Sequence, residues 1–287
     1  PLPSTLFYAT PLPLLCVAAA GGCSLAWFRG KRRRAALWGS LCLILALGAA
    51  HADWFAERPP AAVVDPIRVV SWNLNGGRAG QSAIQAALAE FDGDLVCLGE
   101  VGHFGDARRG FYRELEAHLR ARGYLTRGWA GARLIVAIRA SHGSLGRQRW
   151  SEEIAGVGYL LRVDAEWRGR PLRVALADFR SRPTMDRRPG TDGVLSLLQE
   201  GPPAPWICMG DFNTPRASRG FDAWRASGAR HAFEEAGSGY AATWPAPVPV
   251  LNLDHLWSRG LTTASASAPL RPESDHCPVL AVLGWAP

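Results

Sequence analysis

The hydrophobic pattern divides the chain near residue 56. Residues 6–28 (LFYATPLPLLCVAAAGGCSLAWF) carry no charge and run for roughly the 20 residues that a bilayer-spanning helix needs, with Pro11 and Pro13 placed to kink it. A second apolar run, Ala35–Ala50, follows the basic tract RGKRRR (29–34) and is slightly short for a span unless Ala52, Trp54 and Phe55 reach into the interface. Both runs are apolar on nearly every side rather than amphipathic, which predicts transmembrane helices rather than buried core helices. Basic loops stay in the cytoplasm, so RGKRRR predicts the cytoplasmic turn of a helical hairpin and places the rest of the chain outside. The same stretch also reads as a signal peptide, with KRRR ahead of ALWGSLCLILALG and AHA (50–52) as its cleavage site. Either reading exports the remainder. Natural chains begin with Met, so Pro1 implies residues upstream, which could include a further span.

Beyond residue 56 the pattern changes. ERPPAAVVDP (57–66) lacks helical periodicity and reads as a linker. From Ile67, short apolar runs alternate with 3.6-residue periodicity. IRVVSW, DLVCLG, LIVAI and PWICM read as strands, while Ile84, Ala87, Leu88 and Phe91 line one helix face and Phe111, Leu115 and Leu119 line another. Val194, Leu197 and Leu198 mark a third, shorter helix. VGYLLRVDAEW and PLRVALAD flank Arg168-Gly169 as a hairpin, so the sheet of this α/β chain is not wholly parallel. The expected segments are a membrane region 1–56, a linker 57–66 and one globular domain 67–287.

Composition changes this picture only at the margins. With 287 residues and 48% apolar content the chain can bury a large core, and disorder is excluded. Of the net charge of +7, five positive charges come from Arg29, Lys31, Arg32, Arg33 and Arg34. The remainder is nearly balanced and offers no wide basic face of the kind that grips duplex DNA, which makes nucleic acid the less expected partner. Cys16, Cys23 and Cys42 fall in the apolar runs and Cys97, Cys208 and Cys277 sit singly beside polar motifs, a pattern of buried packing, although an exported domain could close a Cys97–Cys208 bridge.

The chemistry is concentrated in SWNLNGG (71–77), LGEVG (98–102), VALADFR (174–180), MGDFNTP (209–215), LDHLW (253–257) and SDHCPV (274–279). Each leaves polar residues at the C-terminal edge of an apolar run, where α/β folds build their sites. Asn73, Asn75, Glu100, Asp178, Asp211, Asn213, Asp254, Asp275 and His276 are therefore expected to converge on one crevice. Several carboxylates pressed together cannot all ionise without a positive charge among them. The donors are mostly oxygen, with one His and no paired Cys/His spacing, so the expected cofactor is Mg²⁺ or Mn²⁺ rather than zinc, with room left for phosphate oxygens. His276, with an ordinary pKa of about 6.5, can serve as a base once a carboxylate orients its ring.

At these motifs, over roughly residues 67–284, the chain resembles the endonuclease/exonuclease/phosphatase superfamily, which contains DNase I, abasic-site endonucleases, sphingomyelinases and inositol polyphosphate 5-phosphatases. The resemblance implies a four-layer sandwich, two mixed β-sheets flanked by helices, preceded here by transmembrane helices. It implies that Asn75 and Glu100 hold the metal with Asp275 nearby, and that Asn73 supports that cluster and the bound substrate. Asp211 and Asn213 would position the attacking water and the phosphate, and Asp254 and His276 would form an Asp–His pair. GDFN and SDHxP in this order are the specific signals. One departure stands out: where many members have Asn-x-His-Leu, this chain has Leu176, Ala177, Asp178, Phe179, so that Asp178 is expected to act as a carboxylic acid or second-cation ligand, or else simply to end a strand in solvent.

Two further features are read against their bland alternatives. Arg180, Arg182, Arg187 and Arg188 could clamp a phosphate bidentately, but in a chain with Lys31 as its one lysine an arginine run also reads as solvated surface. Trp244 in ATWP could be a lip over the site, although a lone Trp is more often core. Taken together, the sequence predicts a membrane-tethered, extracytoplasmic, Mg²⁺-dependent phosphoesterase acting on a phosphate ester or pyrophosphate. Its layout and the ATWP–LNLDH stretch resemble small bacterial membrane phosphatases that act on lipid-linked cell-wall carriers. An exported nuclease and a catalytically weakened binding domain are the alternatives.

Overall fold

The computed structural model describes residues 12–102, 109–151 and 154–287. In chain order its elements are α1 (Leu12–Phe28), α2 (Arg32–Asp53), β1 (Trp54–Phe55), β2 (Val64–Asn73), α3 (Gln81–Phe91), β3 (Leu95–Gly99), α4 (Arg109–Ala121), β4 (Tyr124–Trp129) and β5 (Leu134–Arg139). There follow β6 (Gly143–Ser151), β7 (Gly158–Trp167), β8 (Arg170–Phe179), α5 (Arg188–Gln199), β9 (Trp206–Asp211) and α6 (Asp222–Ala226). The chain closes with β10 (Arg230–His231), α7 (Ala232–Ala236), β11 (Gly239–Tyr240), β12 (Asp254–Arg259), β13 (Thr262–Ser267) and β14 (Val279–Trp285).

Alternation along the strands builds four layers. One six-stranded sheet has the order β13-β14-β2-β3-β5-β4 and the other β10-β12-β9-β8-β7-β6. Ile67, Val69, Leu95, Val136 and Ile138 of the first sheet meet Leu161, Val163, Val174, Leu176, Ile207 and Met209 of the second in a shared core. The intervening residues face outward. Val70, Trp72, Val96 and Leu98 pack on Ile84 and Leu88 of α3 and Leu115 and Leu119 of α4, while Ala175, Ala177 and Cys208 pack on Val194 and Leu198 of α5. Burying one such Leu, Ile or Val is worth about 1.5–3 kcal/mol, so a one-residue slip of β2, which would exchange Val69 and Val70 between faces, is strongly opposed. The hairpin at Arg168-Gly169 forms as expected, antiparallel between β7 and β8, while β2–β3 and β8–β9 are parallel. The alternation also removes the Cys97–Cys208 bridge: Cys97 faces the inter-sheet core, Cys208 faces the α5 layer, and both thiols are free.

The N-terminal helices pack against each other through small residues. A Cβ at Gly22 would press on the Trp38 ring, Gly39 lies beside Cys23 and Gly48 beside Leu12, and the Cys42 thiol donates to the Cys16 carbonyl at 3.4 Å. This antiparallel pairing turns at Gly30, whose φ is 68°, and brings backbones close in the way membrane helices do. The second helix is the longer of the two as described. α2, at 22 residues with an 18-residue stretch of mean hydropathy 1.7, is long and apolar enough to cross a membrane, whereas α1 has 17 described residues and positions 6–11 of the first apolar run lie outside the described residues. Residues beyond Ala35–Ala50 join the helix at both ends, which supplies the length that the apolar run alone lacked.

The expected linker takes a different form. α2 does not end in a free spacer: Ala241 N donates to Asp53 O at 2.8 Å, the Asn252 amide donates to the Asp53 carboxylate, and the Arg216 guanidinium donates to Ala52 O. Trp54 and Phe55 then pair with Tyr240 and Gly239, and Phe55 is sandwiched between Phe233 and the Arg216 guanidinium. At the other side β2 already begins at Val64, so residues 64–66 are strand. β1 lies near the start of β12, at the end of the sandwich where β2 terminates. Residues 56–63 therefore return the chain along the domain to the start of β2, whose nine steps of roughly 3.3 Å set a distance of about 30 Å.

Candidate active site

Strand ends of both sheets supply the site. In the second sheet Asp178, Asp211 and Asp254 are register partners on adjacent strands, Asp178 opposite Asp211 and Asp211 opposite Asp254. Neighbouring strands lie about 4.8 Å apart, so three carboxylates stand in a row. From the first sheet come Asn73, paired with Gly99 and followed across the β3 end by Glu100, and the Asp275-His276 pair leading into β14, whose Val279 pairs with Ser71. The row depends on Gly210: its φ is 124° and an added Cβ would lie 2.0 Å from the Ala177 carbonyl oxygen, so only glycine lets β9 approach β8 here. Asn75, Glu100 and Asn213 adopt φ of 47°, 49° and 45°, a left-handed conformation rare outside glycine, just past the strand ends.

Hydrogen bonds join most of these groups across the two sheets. His276 Nδ1 meets Asp254 Oδ2 at 2.7 Å, and the same oxygen accepts the Thr243 hydroxyl at 2.6 Å. On the other side of the ring His276 Nε2 faces Asp211 Oδ2 at 3.9 Å. Asp211 accepts from the Asn213 backbone at 2.8 Å and from the Asn213 amide at 3.0 Å. The Asn73 amide bridges the sheets, donating to Asp211 and to Glu100 at 3.3 Å each, while its carbonyl oxygen Oδ1 accepts the Asn75 N–H at 3.0 Å. Glu100 reaches Arg133 at 3.5 Å. Ser274 ties the last segment down, donating to Asn73 O at 2.7 Å and accepting His276 N at 3.2 Å.

Crowding sets the electrostatics. Burial raises the Asp178 carboxyl to a pKa of about 7, reinforced by the Glu100 charge and moderated by Arg133 and His276. Asp211 is also raised well above the carboxylate range, by burial first and by the Asp254 charge next. For His276 burial alone would lower the pKa, but the charge and hydrogen bond of Asp254, with Asp211 and Asp275, outweigh it and push the ring up to about 10. Protons therefore substitute for a missing positive charge. Among the described residues, Asp275 Oδ1 is buried with no hydrogen-bond partner, and Asp275 Oδ2 has a 3.4 Å contact from Trp244 Nε1. This hard, oxygen-rich and charge-deficient donor set fits a divalent cation. Asp211, Asp254 and His276 also lie close enough to share an ion, but Asp254 Oδ2 already accepts two hydrogen bonds.

The nine residues singled out in the sequence are thus gathered at one end of the sandwich. Asn73, however, has its amide committed to Asp211 and Glu100, an arrangement that suits support of the site rather than direct contact with substrate. Asp178 is not the solvated strand end of the bland alternative; it is buried. The arginine clamp is corrected in part: Arg187 is buried and donates to the carbonyls of Arg180, Arg182 and Met185, closing its own loop. Trp244 is corrected the other way, being half-buried with its ring 6.5 Å from that of His276 rather than in the core. Sequence reading missed Arg133, which no motif marks, and Thr243, which sits beside the noted Trp244 and holds Asp254 through both its hydroxyl and the backbone of β12.

Known proteins share this arrangement of strands. The mannosyl-6-phosphatase of Bacteroides thetaiotaomicron superposes with a TM-score of 0.63 at 15% identity, covering 76% of this chain and 100% of its own. The human Nocturnin catalytic domain with bound sulfate gives 0.60 at 18%, covering 80% and 100%. D. rerio TDP2 complexed with a single-strand DNA product gives 0.59 at 17%, covering 76% and 99%. No curated protein matches the sequence. At these identities the likeness shows the fold. Membership comes from the sequence profile, which spans residues 70–276 and so takes in every motif from Asn73 to His276: the chain belongs to the endonuclease/exonuclease/phosphatase family.

Proposed function

We propose that the chain is a metal-dependent phosphohydrolase, tethered through α1 and α2 with its domain outside the cytoplasm, that cleaves a phosphate ester or anhydride carried on a membrane amphiphile. One observation carries the reading: the Asp254–His276 pair at 2.7 Å, aimed at Asp211 across 3.9 Å, beside the buried Asp275 Oδ1 that has no partner among the described residues. A water between His276 Nε2 and Asp211 Oδ2 would be oriented by both. The water's proton would pass to the His276–Asp211 unit as its oxygen bonds to phosphorus, which requires that the proton the crowded carboxylates hold on this unit be displaced beforehand; Asp254 and Thr243 hold the imidazole in place. Breaking the opposite P–O bond leaves an oxyanion that needs a proton. Asp178, with a pKa near neutrality and a place beside Asp211, is suited to donate it. Mg²⁺ or Mn²⁺ held by Glu100, with Asn75 and Asp275, would supply the positive charge that lets the carboxylates ionise and would polarise the phosphate.

The phosphatase named among the structural neighbours and the length and apolarity of α2 support this reading over a nuclease. A nuclease would resemble the DNA-bound neighbour and need a phosphate-tracking surface, whereas Arg187 of the arginine run is occupied by its own loop. The test is hydrolysis by the purified full chain in vesicles, with and without chelator, read as inorganic phosphate release from a prenyl pyrophosphate, a phosphatidic acid and a soluble phosphate monoester and as strand cleavage of single-stranded DNA. Chelator-sensitive release from an amphiphile is expected. Undiminished turnover in excess chelator, or activity confined to DNA with a steep salt dependence, would overturn the reading.

A further inference from the structure

The segment that overhangs the candidate site is also the segment from which α2 hangs. Residues 243–252 form a tight excursion between the site and β12. Trp244 N donates to Leu251 O at 3.0 Å, and Val250 and Leu251 donate back to Trp244 O at 2.9 and 2.8 Å. Its inner face is pinned to the catalytic groups: Ala246 N donates to Asp275 O at 2.7 Å, Cys277 N to Thr243 O at 2.8 Å, and Trp244 Nε1 to the Asp275 carboxylate. Its two stems are pinned to the last turn of α2. Ala241, just before the loop, donates to Asp53 O, and Asn252, at its end, donates to the Asp53 carboxylate.

The outer face of this loop is apolar and uncovered. Its tip reads Pro245, Ala246, Pro247, Val248, Pro249, with no charge, and Val248 is 70% exposed. Outside α1 and α2, the described large hydrophobics this open are few, and Trp54, 63% exposed, is another; it sits one residue beyond Asp53 and against Tyr240, which leads into the loop. A spanning α2 fixes where such residues stand, because the residue that ends the helix lies at the bilayer surface and Trp at that depth is a usual interfacial anchor. The loop bonded to Asp53 on both stems is then held at the same level.

We propose that residues 243–252 are a bilayer-facing lip: Val248 and its flanking prolines enter the headgroup layer beside Trp54, and the lip selects a phosphate borne on a lipid of that layer for delivery to His276 and Asp211. This rests on the phosphohydrolase reading and deepens it. The occupant of the apolar tip is the bilayer, because the exposed apolar surface of α2 continues into Trp54 and from there to the loop without an intervening charged face on the connecting residues 52–55 other than Asp53, which is turned into the stems.

The full chain is reconstituted in phosphatidylglycerol–phosphatidylcholine vesicles as Val248→Cys or, as a reference at the opposite end of the sandwich, Ser141→Cys, each labelled with bimane and corrected with the unsubstituted chain for native thiols. Lipids brominated near the headgroup are expected to quench the probe at 248 at least about twofold more than at 141. Equal quenching at both positions would overturn the lip. That measurement does not depend on turnover, so it stands if the chain hydrolyses no phosphate and the phosphohydrolase reading falls. Where turnover is found, Val248→Asp is expected to lower the ratio of kcat/KM for a vesicle-borne prenyl phosphate over a soluble monoester by about tenfold or more. An unchanged ratio would refute selection by the lip.

Discussion

Asp178→Asn separates the role of this residue from the stability it affects. Burial and the Glu100 charge raise its folded pKa from 3.8 to about 7. A carboxyl with a raised folded pKa binds its proton more tightly folded than unfolded, so its contribution is favourable below about pH 4 and is lost as pH rises towards 7. At 1.36 kcal/mol per unit, the roughly 3-unit difference sets an upper bound of about 4 kcal/mol on the destabilisation of the metal-free protein above pH 7. An Asn of the same shape carries no such term. In chelator the variant should therefore be more stable than the wild type, by a margin that widens by about 3 kcal/mol between pH 5 and pH 8. For a domain of this size that is about 6–12 °C in Tm. Calorimetry of the full chain in detergent at both pH values reads the margin directly. With Mg²⁺ the margin should shrink, and phosphate release should fall at least about tenfold if Asp178 supplies a proton. A margin independent of pH would refute the electrostatic reasoning, and wild-type kinetics in the folded variant would remove Asp178 from the mechanism.

Other substitutions test the remaining parts. His276→Ala and Asp254→Asn should each lower kcat by about 10²–10⁴ at saturating substrate, because both dismantle the same proton-handling pair; an unaltered kcat in either removes that residue. Glu100→Gln keeps the shape but removes a hard anionic ligand, so the Mg²⁺ concentration for half-maximal activity should rise by tenfold or more, and an unshifted titration would move the cation elsewhere. Arg187→Ala strands three carbonyls and should destabilise the domain by about 1–3 kcal/mol in denaturant titration, whereas exposed Arg182→Ala should stay within about 0.5 kcal/mol; the opposite ranking would restore the clamp. A phosphatase reporter fused at the C terminus should be active only outside the cytoplasm, and cytoplasmic activity would reverse the orientation read from RGKRRR.

The parts of the fold that were legible in the sequence are those set by local periodicity. Val69 and Val70 face different cores because a strand alternates, and Ile84, Ala87 and Leu88 face one core because a helix turns every 3.6 residues. The site was legible for a related reason: Asn73, Glu100, Asp178 and Asp211 each close an apolar run, and a buried strand that ends in a polar residue has few other uses for it, whereas Asp254 and His276 stand at the opening of β12 and before β14 rather than at the C-terminal edge their motifs suggested. Arg133 follows no such rule. It enters through the turn before β5 and matters only because that turn folds over Glu100. Trp244 was misread for a similar reason, since exposure depends on a loop whose course is fixed by contacts with Asp275 and Leu251 rather than by its own neighbours in sequence.

The least legible feature is the junction at Ala52–Phe55. Its bonds join positions 164 and 199 residues apart, Ala52 to Arg216 and Asp53 to Asn252, and nothing local to ERPPAAVVDP forecasts that the chain enters the domain at the site end and then runs back to start β2. A flexible linker would let the site sample many orientations, at a cost in effective concentration for anything held in the bilayer. A spliced junction removes that freedom. Arg216 lies three residues after Asn213 and Asn252 two before Asp254, so the groups that grip α2 belong to the same two segments that hold the proton-handling residues. Displacing the helix end would therefore pull on the GDFN turn and the β12 start together. Asn252→Ala, which releases only the Asp53 carboxylate and the Arg216 backbone, should leave the domain folded while loosening that coupling. The expected sign is a larger loss on vesicle-borne than on soluble phosphate. Equal losses on both would mean that the junction braces the site without orienting it towards the membrane.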